Sequence, residues 1–186
     1  PTAAIAMEYY DPSTSTYVSS DTLDIELSPS TFKTGALRVT ASTNSPTGMK
    51  LSMNDSDSNN ALIEQGDNQS SPAKPYISSI TSNTTIADAT DSGNAFSNNT
   101  WGYAFTDTTV GSSAAPAVPL TYSQIPTTET LLRETETLGD NAYILTAAVR
   151  AGRDMTAGIY KDQLTFTVIA NPLPRVYSAL HTMNNK

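Results

Sequence analysis

Apolar and polar residues alternate along most of this 186-residue chain, the period-two signature of strands with one buried face. The longest such stretch starts at Tyr160. Tyr160, Leu164, Phe166, Val168 and Ala170 fall on one face, and Lys161, Gln163, Thr165 and Thr167 on the other. Asn171-Pro172 ends it, since proline cannot donate to a ladder. So long and one-sided a strand needs a second sheet above it, which places it at the centre of a β-sandwich.

The same alternation predicts the other elements. Ile5, Met7 and Tyr9 mark an N-terminal strand, and Tyr17-Val18 a short edge strand. Leu23, Ile25 and Leu27 alternate with Asp24, Glu26 and Ser28. Leu37, Val39 and Ala41 mark one strand and Met49, Leu51 and Met53 the next; Asn44-Ser45-Pro46-Thr47-Gly48 between them reads as the turn of a hairpin. Trp101, Tyr103 and Phe105 share a face, as do Tyr143, Leu145, Ala147 and Val149. Leu120-Tyr122 is a short strand. Thr128 to Leu138 carries helix formers but alternates too, and the sheet context favours a strand.

Between Asn54 and Asn99 the chain turns polar, with short apolar patches at Leu62-Ile63, Ile77 and Ile80. So long an interruption predicts an ordered excursion with short strands, a place for specificity or mobility. The fold expected is an all-β, antiparallel two-sheet (Ig-like) β-sandwich with a long loop excursion. It spans residues 21–171, preceded by an N-terminal extension or first strand (1–20) and followed by a C-terminal tail (172–186).

Composition narrows the compartment and the partners. Charged residues are only 15% and the net charge is −8, so nucleic acid, which needs clustered Lys and Arg, is not an expected partner. The absence of cysteine excludes disulfides and thiolate chemistry. A Ser-, Thr- and Asn-rich chain without cysteine fits an extracellular, bacterial cell-surface location. No apolar run is long enough for a membrane-spanning helix, and no leader pattern precedes Pro1, as expected of a cleaved signal or a trimmed chain.

Candidate chemistry is sparse. His181 is the only histidine and falls in the tail, and no nucleophile elbow is present, so no catalytic residue and no cofactor are expected. Asp55, Asp57 and Asn59 repeat the opening spacing of a calcium loop. Asn60 stands where such a loop has glycine, Gly66 where it has the bidentate glutamate, and Glu64 is out of register. A solvated turn without metal is the expectation, with calcium the weaker reading. Trp101 and Tyr103 could form a sugar platform but read more simply as core, with Tyr160, Leu164, Phe166 and Val168. Lys33, Lys50, Lys74 and Lys161 are the lysines that raise an intramolecular isopeptide bond.

Three stretches together carry a resemblance: the Asn44–Gly48 turn with its flanking strands, Asn98 to Phe105 (NNTWGYAF), and Ala157 to Asn171 (AGIYKDQLTFTVIAN). In this order and spacing the chain resembles β-sandwich domains of secreted surface proteins of Saccharibacteria-type and Gram-positive bacteria. The resemblance covers roughly residues 21–171. It implies a secreted surface-protein domain, names no ligand and assigns no catalytic residue. Two functions follow as expectations. One is a subunit of an extracellular filament, pilus or surface layer, a homo-oligomer joined through terminal strands, with Ile5, Met7, Tyr9, Val176, Tyr177 and Leu180 at the interface. The other is an adhesin module that recognises a host glycan or protein through the 54–99 region.

Overall fold

The computed structural model describes residues 1–65 and 75–173. Those residues form thirteen strands and no helix. In chain order the strands are β1 (Ala3–Asp11), β2 (Thr16–Ser19), β3 (Phe32–Thr43), β4 (Met49–Asp55), β5 (Leu62–Glu64), β6 (Tyr76–Ser79) and β7 (Thr84–Ile86). There follow β8 (Thr100–Thr108), β9 (Leu120–Tyr122), β10 (Thr130–Glu134), β11 (Gly139–Arg150), β12 (Tyr160–Lys161) and β13 (Leu164–Ala170). The all-β expectation therefore holds, and Thr130–Glu134 is a strand.

The strands make an eight-stranded sheet of order β12-β5-β6-β8-β11-β3-β1-β2, a three-stranded sheet β10-β4-β13 and a two-stranded ribbon β7-β9. The pairs are antiparallel except β6 with β8, which is parallel. The inner faces of the two larger sheets meet over the main core. Leu37, Val39, Trp101, Tyr103, Tyr143, Leu145 and Val149 point from one, and Met49, Leu51 and Met53 from the other. These are the positions the alternation assigns inward. The Trp101 indole N–H donates to the Asn60 carbonyl at 2.9 Å, so the ring's one polar group is satisfied within the core.

The outer face of the large sheet is also covered. The β7-β9 ribbon and the loop over residues 88–96 pack Ile86, Phe96, Leu120 and Tyr122 on Phe32, Ala104 and Ala148. Phe32, Phe96 and Tyr122 meet edge to face, with centroids 5.3–6.0 Å apart. Much of the polar excursion is thus spent on burying a second face. It leaves β11 covered on both sides, as in sheets sandwiched between layers.

Two expectations about strand pairing are corrected. The Asn44–Gly48 turn does not close a hairpin: β3 lies in the large sheet and β4 in the small one. Their apolar faces oppose each other across the core, which removes more apolar surface from water than lying side by side. The turn is fastened instead to the end of β13. The Ser45 hydroxyl donates to the Asn171 carbonyl at 2.7 Å, and the Asn171 side-chain amide donates to the Thr47 and Thr135 carbonyls. The stretch from Tyr160 to Asn171, for its part, is neither continuous nor central. It breaks at Asp162-Gln163: β12 pairs with β5 at one edge of the large sheet, and β13 pairs with β4 at one edge of the small sheet. The pattern reads one-sided only if Asp162 is passed over, because its register is that of Tyr160 and Leu164.

Leu23, Ile25 and Leu27 do point at the core. Their backbone, however, runs extended without a ladder. Leu23 and Ile25 fill the space over Gly35, where a Cβ would lie 2.9 Å from each side chain.

Candidate functional site

The break in the Tyr160–Ala170 stretch is also where carboxylates converge. Asp55 is the last residue of β4, opposite Leu164, the first residue of β13. Asp57 follows in the turn, and Asp162 precedes β13 by two residues. The antiparallel pairing of β4 with β13 brings the exit of one strand to the entry of the other. An oxygen of each of Asp55, Asp57 and Asp162 lies within 4.8 Å of the others.

Each carboxylate also organises its own loop. Asp55 Oδ1 accepts from the Asp57 amide at 2.9 Å, Asp57 Oδ1 from the Asn59 amide at 2.8 Å, and Asp162 Oδ1 from the Gln163 amide at 2.7 Å. The Ser56 amide donates to the Gln163 carbonyl at 2.9 Å, which ties the two loops together. The second oxygens are different. Oδ2 of Asp55 and Oδ2 of Asp162 are buried and meet no hydrogen-bond donor among the described residues.

Burial disfavours the charged form of these groups. It pushes the Asp55 carboxyl up, with the neighbouring Asp57 charge contributing. It pushes Asp162 up to about 7, with Asp55 and Asp57 adding like-charge repulsion. No basic side chain answers them among the described residues: the ion pairs there join Arg38 to Glu8, Lys50 to Glu134, Arg133 to Asp107 and Arg150 to Asp91.

The solvated-turn expectation is therefore corrected for Asp55, which is 1% exposed; Asp57 and Asn59 are exposed. Asn59 takes part through its amide. Asp162 was missed, although the signal was present as a carboxylate at an inward strand position.

The core residues are graded. Trp101 and Tyr103 are buried, whereas Tyr160, Leu164, Phe166 and Val168 are half-buried. At the other end, Ile5, Met7 and Tyr9 belong to their own domain: β1 pairs with β3 from Ala3 to Tyr9 and with β2 from Glu8 to Asp11. The first 20 residues thus supply strands of the sandwich. Val176, Tyr177, Leu180 and His181 lie outside the described residues, as does Lys74. Lys50 is exposed and paired to Glu134, and Lys161 is exposed.

A cleft of about 530 Å³ opens between β1 and β13, lined by Ile5, Met7, Ser19, Ser20, Asp21 and Phe166. No family model, curated protein or solved structure matches this chain.

Proposed function

We propose that this chain is a structural β-sandwich module of a bacterial cell-surface assembly, whose copies join edge to edge along the three-stranded sheet. One observation carries the reading. Met49, Leu51 and Met53 on β4 are wholly buried, yet Leu164, Phe166 and Val168, which face the same core from β13, are only partly buried. Among the described residues β13 has a single strand partner. An edge strand with inward apolar residues still partly in water is a template for a further strand. The β1–β13 cleft offers Ile5, Met7 and Phe166 as apolar contacts beside a polar rim of Ser19, Ser20 and Asp21, so added main-chain hydrogen bonds would come with side-chain contacts.

The N-terminal strand is the acceptor wall rather than the donor, because its hydrogen bonds are used within its own sheet. The donor is the C-terminal tail of a second copy, through Val176, Tyr177 and Leu180. Pro172 lacks the amide hydrogen that continuing the β13 ladder would use.

The test compares the full chain with a version lacking residues 174–186, by light scattering and negative-stain microscopy. The expected result is concentration-dependent assembly of the full chain, a monomeric deletion, and capture of a synthetic 174–186 peptide by the deletion. A full chain that stays monomeric at high concentration and a deletion that behaves identically would overturn the reading in favour of the adhesin module. That alternative has less sequence to work with, since Ile77, Ile86 and Phe96 of the 54–99 region are spent on packing.

A further inference from the structure

We propose that Asp55, Asp57 and Asp162 bind a calcium ion at the point where the chain crosses from the eight-stranded to the three-stranded sheet. The proposal is independent of the edge-to-edge reading and stands on geometry.

Three carboxylates from two loops present oxygens to one centre within 4.8 Å. Acidic clusters are common on protein surfaces, but this one has a floor. Asp55 is almost wholly inaccessible, and its Oδ2 meets no donor among the described residues. Oδ2 of Asp162 is likewise buried and unpartnered. A buried carboxylate oxygen without a partner is costly, and Asp55 and Asp162, from different loops of one carboxylate cluster, each carry one, which a cation bound in the cluster would offset. No Lys or Arg forms an ion pair with the three among the described residues. The exposed Asp57 leaves the centre open on one side, so water can complete the shell.

The donor set selects the metal. All three side chains offer hard oxygen, and among the described residues no histidine or cysteine belongs to the cluster, which disfavours zinc and the softer transition metals. Calcium accepts six to eight oxygens in irregular geometry, whereas magnesium demands a near-ideal octahedron. Carboxylates held by two loops at different depths fit the more permissive ion. Each carboxylate already uses one oxygen on a backbone amide, so the cluster is positioned before the ion arrives. Three charged ligands and an open side suit affinities on the order of 10⁻⁴ to 10⁻³ M. Bound there, the ion would join the end of β4 to the start of β13 and fasten the edge strand of the small sheet.

The test is thermal unfolding of the full chain in EDTA and in 10 mM CaCl₂ or MgCl₂, with calorimetric titration of CaCl₂. Calcium is expected to raise Tm by about 3–6 °C, from mass action at roughly tenfold excess over Kd in a domain of this size. Asp57→Asn and Asp162→Asn are each expected to abolish the shift and the binding heat. Asp57 is exposed in a turn, so its variant folds whatever becomes of Asp162→Asn. Absence of both shift and heat at 10 mM calcium would overturn the proposal, as would variants that keep the parent's response. An equal shift with magnesium would overturn the assignment to calcium.

Discussion

Arg150 and Asp91 form an ion pair of 2.6 Å in which the side chains are only 7% and 2% exposed. Asp91 also accepts from the Ala95 and Phe96 amides, and Arg150 donates to the Asn94 side-chain oxygen at 2.9 Å. The pair pins the 88–96 loop to the outer face of β11, where that loop delivers Phe96 to the second core. Removing one partner of a buried pair leaves an uncompensated charge, so Asp91→Ala is expected to cost about 3–5 kcal/mol. The double change Asp91→Asn with Arg150→Met, which leaves no unpaired charge and keeps a side-chain acceptor at the positive-φ position 91, should recover part of that loss. Urea unfolding of the single and double variants measures both, and a neutral single variant would refute the role of the pair.

Trp101→Ala is expected to lose about 3–5 kcal/mol, the range for deleting a large buried aromatic. The indole lies in the core with Leu145 and Val149. The truncation would also orphan its hydrogen bond to Asn60. Chemical denaturation followed by tyrosine fluorescence checks it. Full stability in the variant would contradict the core placement.

Gly48 holds φ at +82°, and a Cβ there would lie 1.9 Å from the Thr135 carbonyl oxygen. Both the conformation and the space require glycine. Gly48→Ala is expected to destabilise by more than about 1 kcal/mol, and to loosen the crossover between β3 and β4 together with the Asn171 end of β13. Amide hydrogen exchange should report faster opening at residues 45–49 and 169–171. Unchanged protection in both segments would count against this.

Metal-free protein should carry a pH signature from Asp162. Its folded pKa is raised from 3.8 to about 7, so the folded state holds this proton more tightly than the unfolded chain does. That contribution is most favourable where both states are protonated and is lost as pH rises through the window between the two values. In EDTA, the stability of the parent relative to Asp162→Asn is expected to fall as pH rises from about 4 to about 7 and to level off above. Paired urea titrations across that range provide the measurement. A difference that does not change with pH would refute it.

The alternation of residue types was enough to identify an all-β chain and most of its strands. Leu37/Val39/Ala41, Met49/Leu51/Met53, Trp101/Tyr103 and Tyr143/Leu145/Val149 all face the core as their spacing demands, because side-chain direction in a strand follows from backbone geometry alone. The same period says nothing about which strand lies beside which. It could not separate a hairpin from a crossover at Ser45–Gly48, since both turn the chain and differ only in whether two apolar faces lie side by side or opposed. It missed the second core for a related reason: Ile86 and Phe96 are isolated apolar residues in polar surroundings, and only the path of the chain across β11 makes them neighbours of Phe32 and Tyr122. The Asp55-x-Asp57 spacing was legible as half of a cation loop. Its other half stands 105 residues further on, at Asp162, and only the antiparallel pairing of β4 with β13 closes that distance. Local periodicity determined which face each residue turns to the core; long-range pairing, driven by burial of those faces, decided what each face meets.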